Sequence, residues 1–324
     1  MSWSGSALRW AACVLIGIAA WPRAGAQQGE SALQRQVRAI AAESKGKVSA
    51  ACSLPGTKLD CDLNPQGHPP MQSVFKLPVA VAVLGMVEQG RLKLDGPVRL
   101  HTADLFVPHA YSPLQDKYPE ANVDVPLREL LRRAVSDSDN AAADLLLRLA
   151  SGAPAQGGEL NANEAERQRQ AGAKAVNDAI ARLGVTGFHL QDGEHAMQRD
   201  VETQYRDWFE PAGAVQLLRL LADRSPLTGE HTELLFGWMR EARLTTRLKG
   251  DLPQGVVVEH KTGTSGVTDG LAHATNDIGL ITLPDGRKLA IALFLTDSTA
   301  DAAARDKTIA RIARAAYDAA VGMR

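Results

Sequence analysis

Strand-like segments occur near both ends of this chain, and a long region with helical patterning separates them. Residues 47–53 and 58–63 are short strand-like runs on either side of the turn-forming residues 55–57. Three further runs lie toward the C-terminus, at 256–261, 278–283 and 289–296. Because Asp285-Gly286 separates the last two, they are predicted to form a hairpin. Such a chain can close one antiparallel sheet from its two ends, with the helical region inserted between them.

The predicted fold class is therefore α+β: an antiparallel sheet of N- and C-terminal strands, flanked by helices, with an inserted all-α domain. At roughly 100–200 residues per domain, a chain of 324 residues corresponds to about two domains. We predict a discontinuous α/β domain from 27–86 and 241–324, and an all-α domain from 87–240. Since small-molecule sites prefer clefts between domains, the active site is expected at their seam.

Apolar residues at helical spacing predict a helix over 31–43. A long apolar run predicts a second helix over about 73–89, and an Ala-rich stretch predicts a third over about 302–321. Residues 153–172 are polar and show no apolar period. They are predicted to form a surface insertion whose Glu/Arg/Gln-rich half can extend a helix.

The charge balance argues against some classes of partner. With a formal net charge of −1, the chain lacks the basic surface that nucleic acids or anionic membranes require. We expect a monomer that binds a small molecule. The eight histidines show no H-x-H or H-E-x-x-H spacing, so no metal site is predicted.

The first 26 residues are predicted to be an export signal. Arg9 precedes an apolar run over 10–21, and the small residues 24–26 follow it, so that the mature chain would begin at Gln27. The alternative is a retained membrane anchor, but the run is shorter than the roughly 20 residues that a spanning helix needs. We therefore expect a periplasmic or secreted protein.

Of the three cysteines, Cys13 lies in this signal, which leaves Cys52 and Cys61. They lie on the two strand-like runs of the predicted N-terminal hairpin. If Gly56-Thr57 form the turn, the two positions face each other; if Pro55-Gly56 form it, they are offset. A disulfide and two packed thiols both remain open.

Three short motifs suggest a serine nucleophile. Ser73-Val74-Phe75-Lys76 matches S-x-x-K, which places Lys76 on the same helix face as Ser73. A chain of this length shows about one such match by chance. Ser138-Asp139-Asn140 and Lys261-Thr262-Gly263 are rarer, so all three in this order are hard to explain by coincidence.

Through these motifs and the strings MQSVFK, VSDSDN, TQYRDW and HKTGTSG, the mature sequence resembles the class A serine β-lactamases, and within them a subgroup with extended-spectrum members. The resemblance implies hydrolysis of penicillins and cephalosporins through an acyl-enzyme, with no metal or cofactor. It implies the β-lactamase/transpeptidase-like form of the predicted fold.

The resemblance also implies roles for individual residues. Ser73 would attack the lactam carbonyl, with Lys76 as base or proton relay. The N–H groups of Ser73 and Thr264 would form the oxyanion hole. Ser138 would pass a proton to the lactam nitrogen, and Asn140 would bind the side-chain amide of the substrate.

Other residues are expected to bind the substrate. Lys261, Thr262 and Thr264, on the strand that carries the third motif, would offer a charge and hydroxyls to the substrate carboxylate. Gly263 and Ser265 of the same strand are also counted among the substrate-binding residues. Arg247 lies where some members place a carboxylate-binding arginine, although it could equally be a solvated charge at a helix end. Tyr111 matches an aromatic residue at the mouth of the cleft, and its alternative role is packing.

Deacylation needs a second base, and two glutamates are candidates. Glu159-Leu160-Asn161 resembles the end of the E-x-x-L-N motif of the family, but it lies inside the polar insertion. Glu194 lies close to the spacing that the family shows before Lys261, so we assign Glu194 as the base. Gln198 stands where asparagine is commoner, and its amide can still hold a water. A penicillin-binding D,D-peptidase and a β-lactam sensor that stays acylated are the alternative functions.

Overall fold

The structure is a computed structural model that describes residues 30–106, 110–224 and 226–323. The predicted export signal lies outside the described residues. The strands are β1 Lys47–Ser53, β2 Pro97–Leu100, β3 Val123–Pro126, β4 Phe188–His189, β5 Trp208–Phe209, β6 Val258–Thr264, β7 Val267–Thr268, β8 Leu271–Ala272, β9 Thr275–Thr282 and β10 Lys288–Thr296. The helices are α1 Ala32–Ala42, α2 Lys76–Glu88, α3 Pro113–Lys117, α4 Leu127–Arg132, α5 Asn140–Ala150, α6 Ala162–Arg182, α7 Glu194–Met197, α8 Val201–Gln204, α9 Pro211–Ala222, α10 Gly229–Arg240 and α11 Ala302–Val321. Single 3₁₀ turns occur at Gln72–Phe75 and Thr102–Asp104, and a π turn at Arg133–Asp137.

A four-stranded antiparallel sheet in the order β1-β10-β9-β6 joins the two ends of the chain, as predicted. Strand β10 shows why its sequence is apolar without interruption. Its odd-numbered residues 289–295 belong to an apolar cluster with α1 and α11, whereas Ala290, Ala292 and Phe294 belong to a second cluster with the remaining helices. Because side chains alternate along a strand, a sheet covered on both faces needs apolar residues at both odd-numbered and even-numbered positions.

The N-terminal hairpin is only partly formed, so the predicted strand over 58–63 is wrong. Only Leu63 pairs with β1, through two backbone hydrogen bonds with Ala50. Upstream of Leu63, the Asp60 carboxylate accepts from Asp62 N at 2.9 Å, and this local bond competes with a regular ladder.

Cys52 and Cys61 form a disulfide, with their Cα atoms 5.8 Å apart. The turn centres on Pro55-Gly56, since Thr57 N donates to Leu54 O and Gly56 has φ +77°. The offset expected for this turn does not occur, because residues 58–62 leave the strand path.

The segment 153–172 divides at Asn161, which caps helix α6 by accepting from Glu164 N at 2.9 Å. The residues before it form a loop, and those after it form the first half of α6, in agreement with the predicted helix extension. The segment is not entirely a surface insertion, because Ala165 and Arg169 in the helical half are buried. Arg169 pairs with Glu166 at 3.0 Å.

The region between β1 and β6 is mainly helical, with two small sheets, β2-β3 and β4-β5, that the sequence pattern did not indicate. Within the described residues, no helix is both long and apolar enough to span a bilayer.

Candidate active site

Helix α2 carries Lys76 as its first residue, directly after the 3₁₀ turn that contains Ser73. The Lys76 side chain is fully buried, and a buried ammonium needs acceptors to offset its lost hydration. Lys76 Nζ has three: Ser138 O and Asn140 Oδ1 at 2.7 Å, and Glu194 Oε1 at 2.8 Å. The first two motifs of the sequence therefore meet at one ammonium.

Ser138 occupies a strained backbone position. It ends the π turn with φ +58°, in the left-handed region that non-glycine residues seldom adopt. In this conformation its carbonyl accepts from Lys76, while its hydroxyl accepts from Lys261 Nζ at 2.9 Å. Asp139 fixes the geometry from the other side, because its carboxylate caps α5 and accepts from Ser112 Oγ at 2.9 Å. Strain held in place by such contacts is common at functional sites.

Lys261 is buried on strand β6 and donates to both Ser138 Oγ and Thr262 O at 2.9 Å. Burial, and then the nearby charge of Lys76, hold the pKa of Lys261 well below its usual value. An ammonium in this state releases a proton more readily than an exposed one. Lys261 and Ser138 can therefore exchange a proton along one hydrogen bond.

Gly263 allows strand β6 to approach the turn that carries Ser73. A Cβ at this position would lie 2.5 Å from Met71 O, closer than real side chains come. Ser73 and Thr264 consequently line the same cleft, whereas Gly263 does not.

Glu194 lies at the start of α7, and its Oε1 accepts from Ser73 Oγ at 3.2 Å. Asp144 of helix α5 holds this turn, since its carboxylate accepts from Glu194 N at 2.7 Å and from His195 N at 3.0 Å. The same carboxylate contacts His195 Nδ1 at 2.7 Å, and Leu105 O lies 3.2 Å from Nε2. Both ring nitrogens of His195 therefore lie within hydrogen-bond distance of an oxygen, which fixes the orientation of the ring.

Asp144 was missed by the sequence interpretation. Burial raises its pKa, but the hydrogen bond and charge of His195, together with the charge of Arg169, more than offset this and lower the net value. Asp144 lies four residues after Asn140 on the same helix, so both project from one face. This four-residue spacing from a motif residue was the signal that could have identified Asp144 from the sequence.

The cleft has a volume of about 320 Å³. Its lining includes eight residues predicted from the sequence: Ser73, Tyr111, Ser138, Asn140, Glu194, Lys261, Thr262 and Thr264. Gln72, Asp137 and Arg243 also line it and were not predicted. Within the described part of the chain, no cluster of three His, Cys, Asp or Glu side chains is placed to hold a metal ion.

The sequence profile of the beta-lactamase enzyme family matches residues 32–320. The chain belongs to the beta-lactamase enzyme family. Extended-spectrum beta-lactamase PER-1 of Pseudomonas aeruginosa is 36% identical over 286 residues, which cover 88% of this chain and 86% of that protein. A beta-lactamase of Bacteroides uniformis is 38% identical over 79% of this chain and 80% of its own length.

Solved structures of β-lactamases share the fold. One from Chitinophaga pinensis has a TM-score of 0.79 at 37% identity, and covers 90% of this chain and 100% of its own. TLA-1 extended spectrum beta-lactamase has a TM-score of 0.81 at 33% identity, covering 91% and 100%. The predicted fold class, the class A family and hydrolysis of β-lactams are therefore confirmed, and the peptidase and sensor alternatives are not supported.

Arg247 of this β-lactamase matches neither alternative expected for it. Its residue is 3% exposed, so it is not a solvated charge. Its guanidinium donates to Gly263 O, Asn276 O and Thr264 Oγ1 at 2.8–2.9 Å and pairs with Asp306 at 2.8 Å. Because these acceptors occupy it and it does not line the cleft, Arg247 supports strand β6 from behind.

Three other candidates also lie away from the cleft. Gln198 is exposed and does not line it. Ser265 accepts from Ala274 N at 2.9 Å and donates to Gly266 O at 2.8 Å, which shapes the end of β6. Glu159 is exposed in the loop before α6, as the choice of Glu194 requires.

Asp207 binds the backbone just before Glu194 in this β-lactamase. One carboxyl oxygen of Asp207 accepts from Gln191 N at 2.6 Å and Asp192 N at 3.1 Å. The other oxygen is buried and has no hydrogen-bond partner among the described residues. Burial raises the pKa of Asp207 to about 7 against these two hydrogen bonds, and the charge of Asp192 adds to the rise, while that of Arg206 opposes it.

This raised pKa makes the free energy of unfolding depend on pH. The folded-state pKa of Asp207 lies above the unfolded value of about 3.9. The stability that the protonated Asp207 contributes is therefore fully present below about pH 4 and is lost as pH rises through 7. Asp207→Asn mimics the protonated carboxyl. We therefore expect its free energy of unfolding to exceed that of the parent by about 2–4 kcal/mol, with the difference increasing from pH 5 to pH 8. Urea unfolding at both pH values measures this, with the exposed Asp178→Asn as control. Equal pH dependence in parent and Asp207→Asn would contradict the assignment.

Proposed function

We propose that this β-lactamase opens the lactam ring of penicillins and cephalosporins through an acyl-enzyme on Ser73, which a water activated by Glu194 releases. One observation carries the proposal: Glu194 Oε1 lies within hydrogen-bond reach of both Ser73 Oγ, at 3.2 Å, and Lys76 Nζ, at 2.8 Å. A nucleophile, a cation and a carboxylate base thus share one contact point.

Acylation forms a bond between Ser73 Oγ and the lactam carbonyl carbon. The hydroxyl proton moves from Ser73 Oγ to the Glu194 carboxylate that it contacts, and the Lys76 ammonium, paired with the same carboxylate, can relay it onward. The N–H groups of Ser73 and Thr264 stabilise the charge on the carbonyl oxygen. Loss of one such donor typically costs about 3–4 kcal/mol of barrier. When the C–N bond breaks, Ser138 passes a proton to the lactam nitrogen, and Lys261 can replace it because its pKa is lowered. The proton held by Glu194 then returns by way of Lys76 to the Ser138–Lys261 pair, which leaves Glu194 a carboxylate for deacylation.

Deacylation uses the same carboxylate as a general base. Glu194 takes a proton from water, the hydroxide attacks the acyl carbon, and Ser73 Oγ leaves and recovers a proton. This second base favours a hydrolase over a penicillin-binding D,D-peptidase or a sensor that stays acylated.

Substrate recognition follows from the groups that remain free. Asn140 Oδ1 accepts from Lys76, which leaves the Asn140 amide N–H groups for the side-chain carbonyl of the substrate. Lys261, Thr262 and Thr264 face the cleft and suit the ring carboxylate. Tyr111 is 51% exposed at the cleft mouth, and its hydroxyl donates to Asp137 O at 2.8 Å.

We further propose the two-domain division made from the sequence, with 27–86 and 241–324 against 87–240. Under this division Ser73 and Lys261 come from the first domain, and Ser138 and Glu194 from the second. The export signal over 1–26 would deliver a monomer to the periplasm or the medium, where hydrolysis confers resistance to β-lactam antibiotics.

A purified sample with a chromogenic cephalosporin tests the function. Many turnovers per molecule at a constant rate are expected, because deacylation regenerates free Ser73. A single equivalent of ring opening followed by no further reaction would contradict the hydrolase and favour the sensor or peptidase.

A further inference from the structure

Arg243 is the arginine that this cleft presents to a substrate. It follows helix α10, lines the cleft, and leaves 64% of its side chain exposed. The carboxylate of Asp137 holds it, with Oδ1 3.0 Å from both Arg243 Nε and Nη2. Arg247, for which carboxylate binding was one of two alternatives, is occupied by protein acceptors instead.

Asp137 does not neutralise Arg243, because other guanidinium groups share its carboxylate. Arg132 Nη2 lies 3.3 Å from Asp137 Oδ2, and Arg133 Nη1 lies 4.0 Å from the same atom. Arg133 also pairs with Glu129 at 2.9 Å. Three arginines share the one carboxylate of Asp137. The edge of the cleft that Arg243 lines therefore carries excess positive charge.

The chemistry of the ring sets which part of a substrate meets this charge. In the proposed mechanism Ser138 delivers a proton to the lactam nitrogen. Arg243 pairs with Asp137, the residue before Ser138, and lines the same cleft, so we place Arg243 on the nitrogen side of the substrate. The ring carbon bonded to that nitrogen carries the carboxylate for which Lys261 and Thr264 are suited. In cephalosporins, the next ring carbon carries a variable substituent.

We propose that Arg243 selects β-lactams with a second anionic group on this substituent, such as a sulfonate or a carboxylate. This specificity rests on the proposed function of the same site. A half-exposed ion pair is weak, so a preference of about threefold to fivefold in kcat/KM is expected. Salt should reduce this preference, because the pair is open to solvent.

The test uses two cephalosporins that share one acylamino side chain and differ only in a neutral or a sulfonate-bearing ring substituent. The parent enzyme should favour the anionic substrate, mainly through KM. Arg243→Gln should bring the kcat/KM ratio of the two substrates close to one, and Arg243→Lys should retain most of the preference because it keeps the charge.

Arg132→Gln is the matched control, since Arg132 also pairs with Asp137 but does not line the cleft. It should lower the ratio of the parent much less than Arg243→Gln does, because Arg132 adds to the charge around Asp137 but does not face the substrate. The proposal is overturned if Arg243→Gln keeps that ratio, or if Arg132→Gln lowers it equally. Failure of the parent to turn over either substrate would instead contradict the proposed function.

Discussion

Glu194→Gln is expected to let Ser73 become acylated and to slow release of the acyl group by about 100- to 10,000-fold, the usual contribution of a general base. Glutamine keeps the size of the side chain but cannot accept the proton of water. Lys76 Nζ keeps its contacts with Ser138 O and Asn140 Oδ1, and its third position, no longer paired with a carboxylate, can take the Ser73 proton during acylation. A chromogenic cephalosporin should show a burst of about one equivalent and then almost no turnover.

Glu159→Gln is the matched control, because Glu159 is exposed in the loop before α6 and away from the cleft. It should behave as the parent does. A stall in Glu159→Gln combined with normal turnover in Glu194→Gln would show that the wrong carboxylate was chosen.

Ser73→Ala is expected to abolish covalent labelling by penicillins and to reduce turnover by about 10⁴- to 10⁶-fold, as loss of a serine nucleophile does elsewhere. The substitution removes one hydroxyl whose hydrogen bond reaches Glu194 Oε1, and the backbone of the 3₁₀ turn is unaffected. Intact-mass spectra after incubation with a penicillin measure the adduct directly.

A serine remote from the cleft is the control for this variant. Ser151 ends helix α5 and donates to Arg148 O, so Ser151→Ala should still form one adduct per molecule. The double variant Ser73→Ala/Glu194→Gln should show no burst. An adduct on Ser73→Ala would refute Ser73 as the nucleophile.

Local sequence signals predicted the helices well. Helix α11 covers Ala302–Val321, as the Ala-rich pattern indicated, and Asp301 begins it by accepting from Ala304 N at 2.8 Å. A cap and an apolar period are properties of neighbouring residues, so they can be read along the chain. The strand over 58–63 failed because its alternating pattern does not show that the Asp60 side chain bonds the backbone.

Spacing between motifs predicted most of the candidate site. The three motifs meet at Lys76 and Lys261, and the spacing argument that preferred Glu194 to Glu159 agrees with the contact between Glu194 and Ser73. Residue roles could be inferred because each motif carries its own chemistry. The assignments themselves remain predictions that the variants above test.

The sequence by itself determined the family, the antiparallel sheet built from both chain ends, and the identity of the residues around the nucleophile. Motifs and periodicity are properties of the sequence alone, so no tertiary structure is needed to recognise them. Only the tertiary structure decided which charges are free. Arg247 and Arg243 are four residues apart, yet four protein acceptors surround the first and the second lines the cleft. Asp144 likewise holds Glu194 from a helix fifty residues away. A charge depends on every group packed around it, and those groups come from distant parts of the chain.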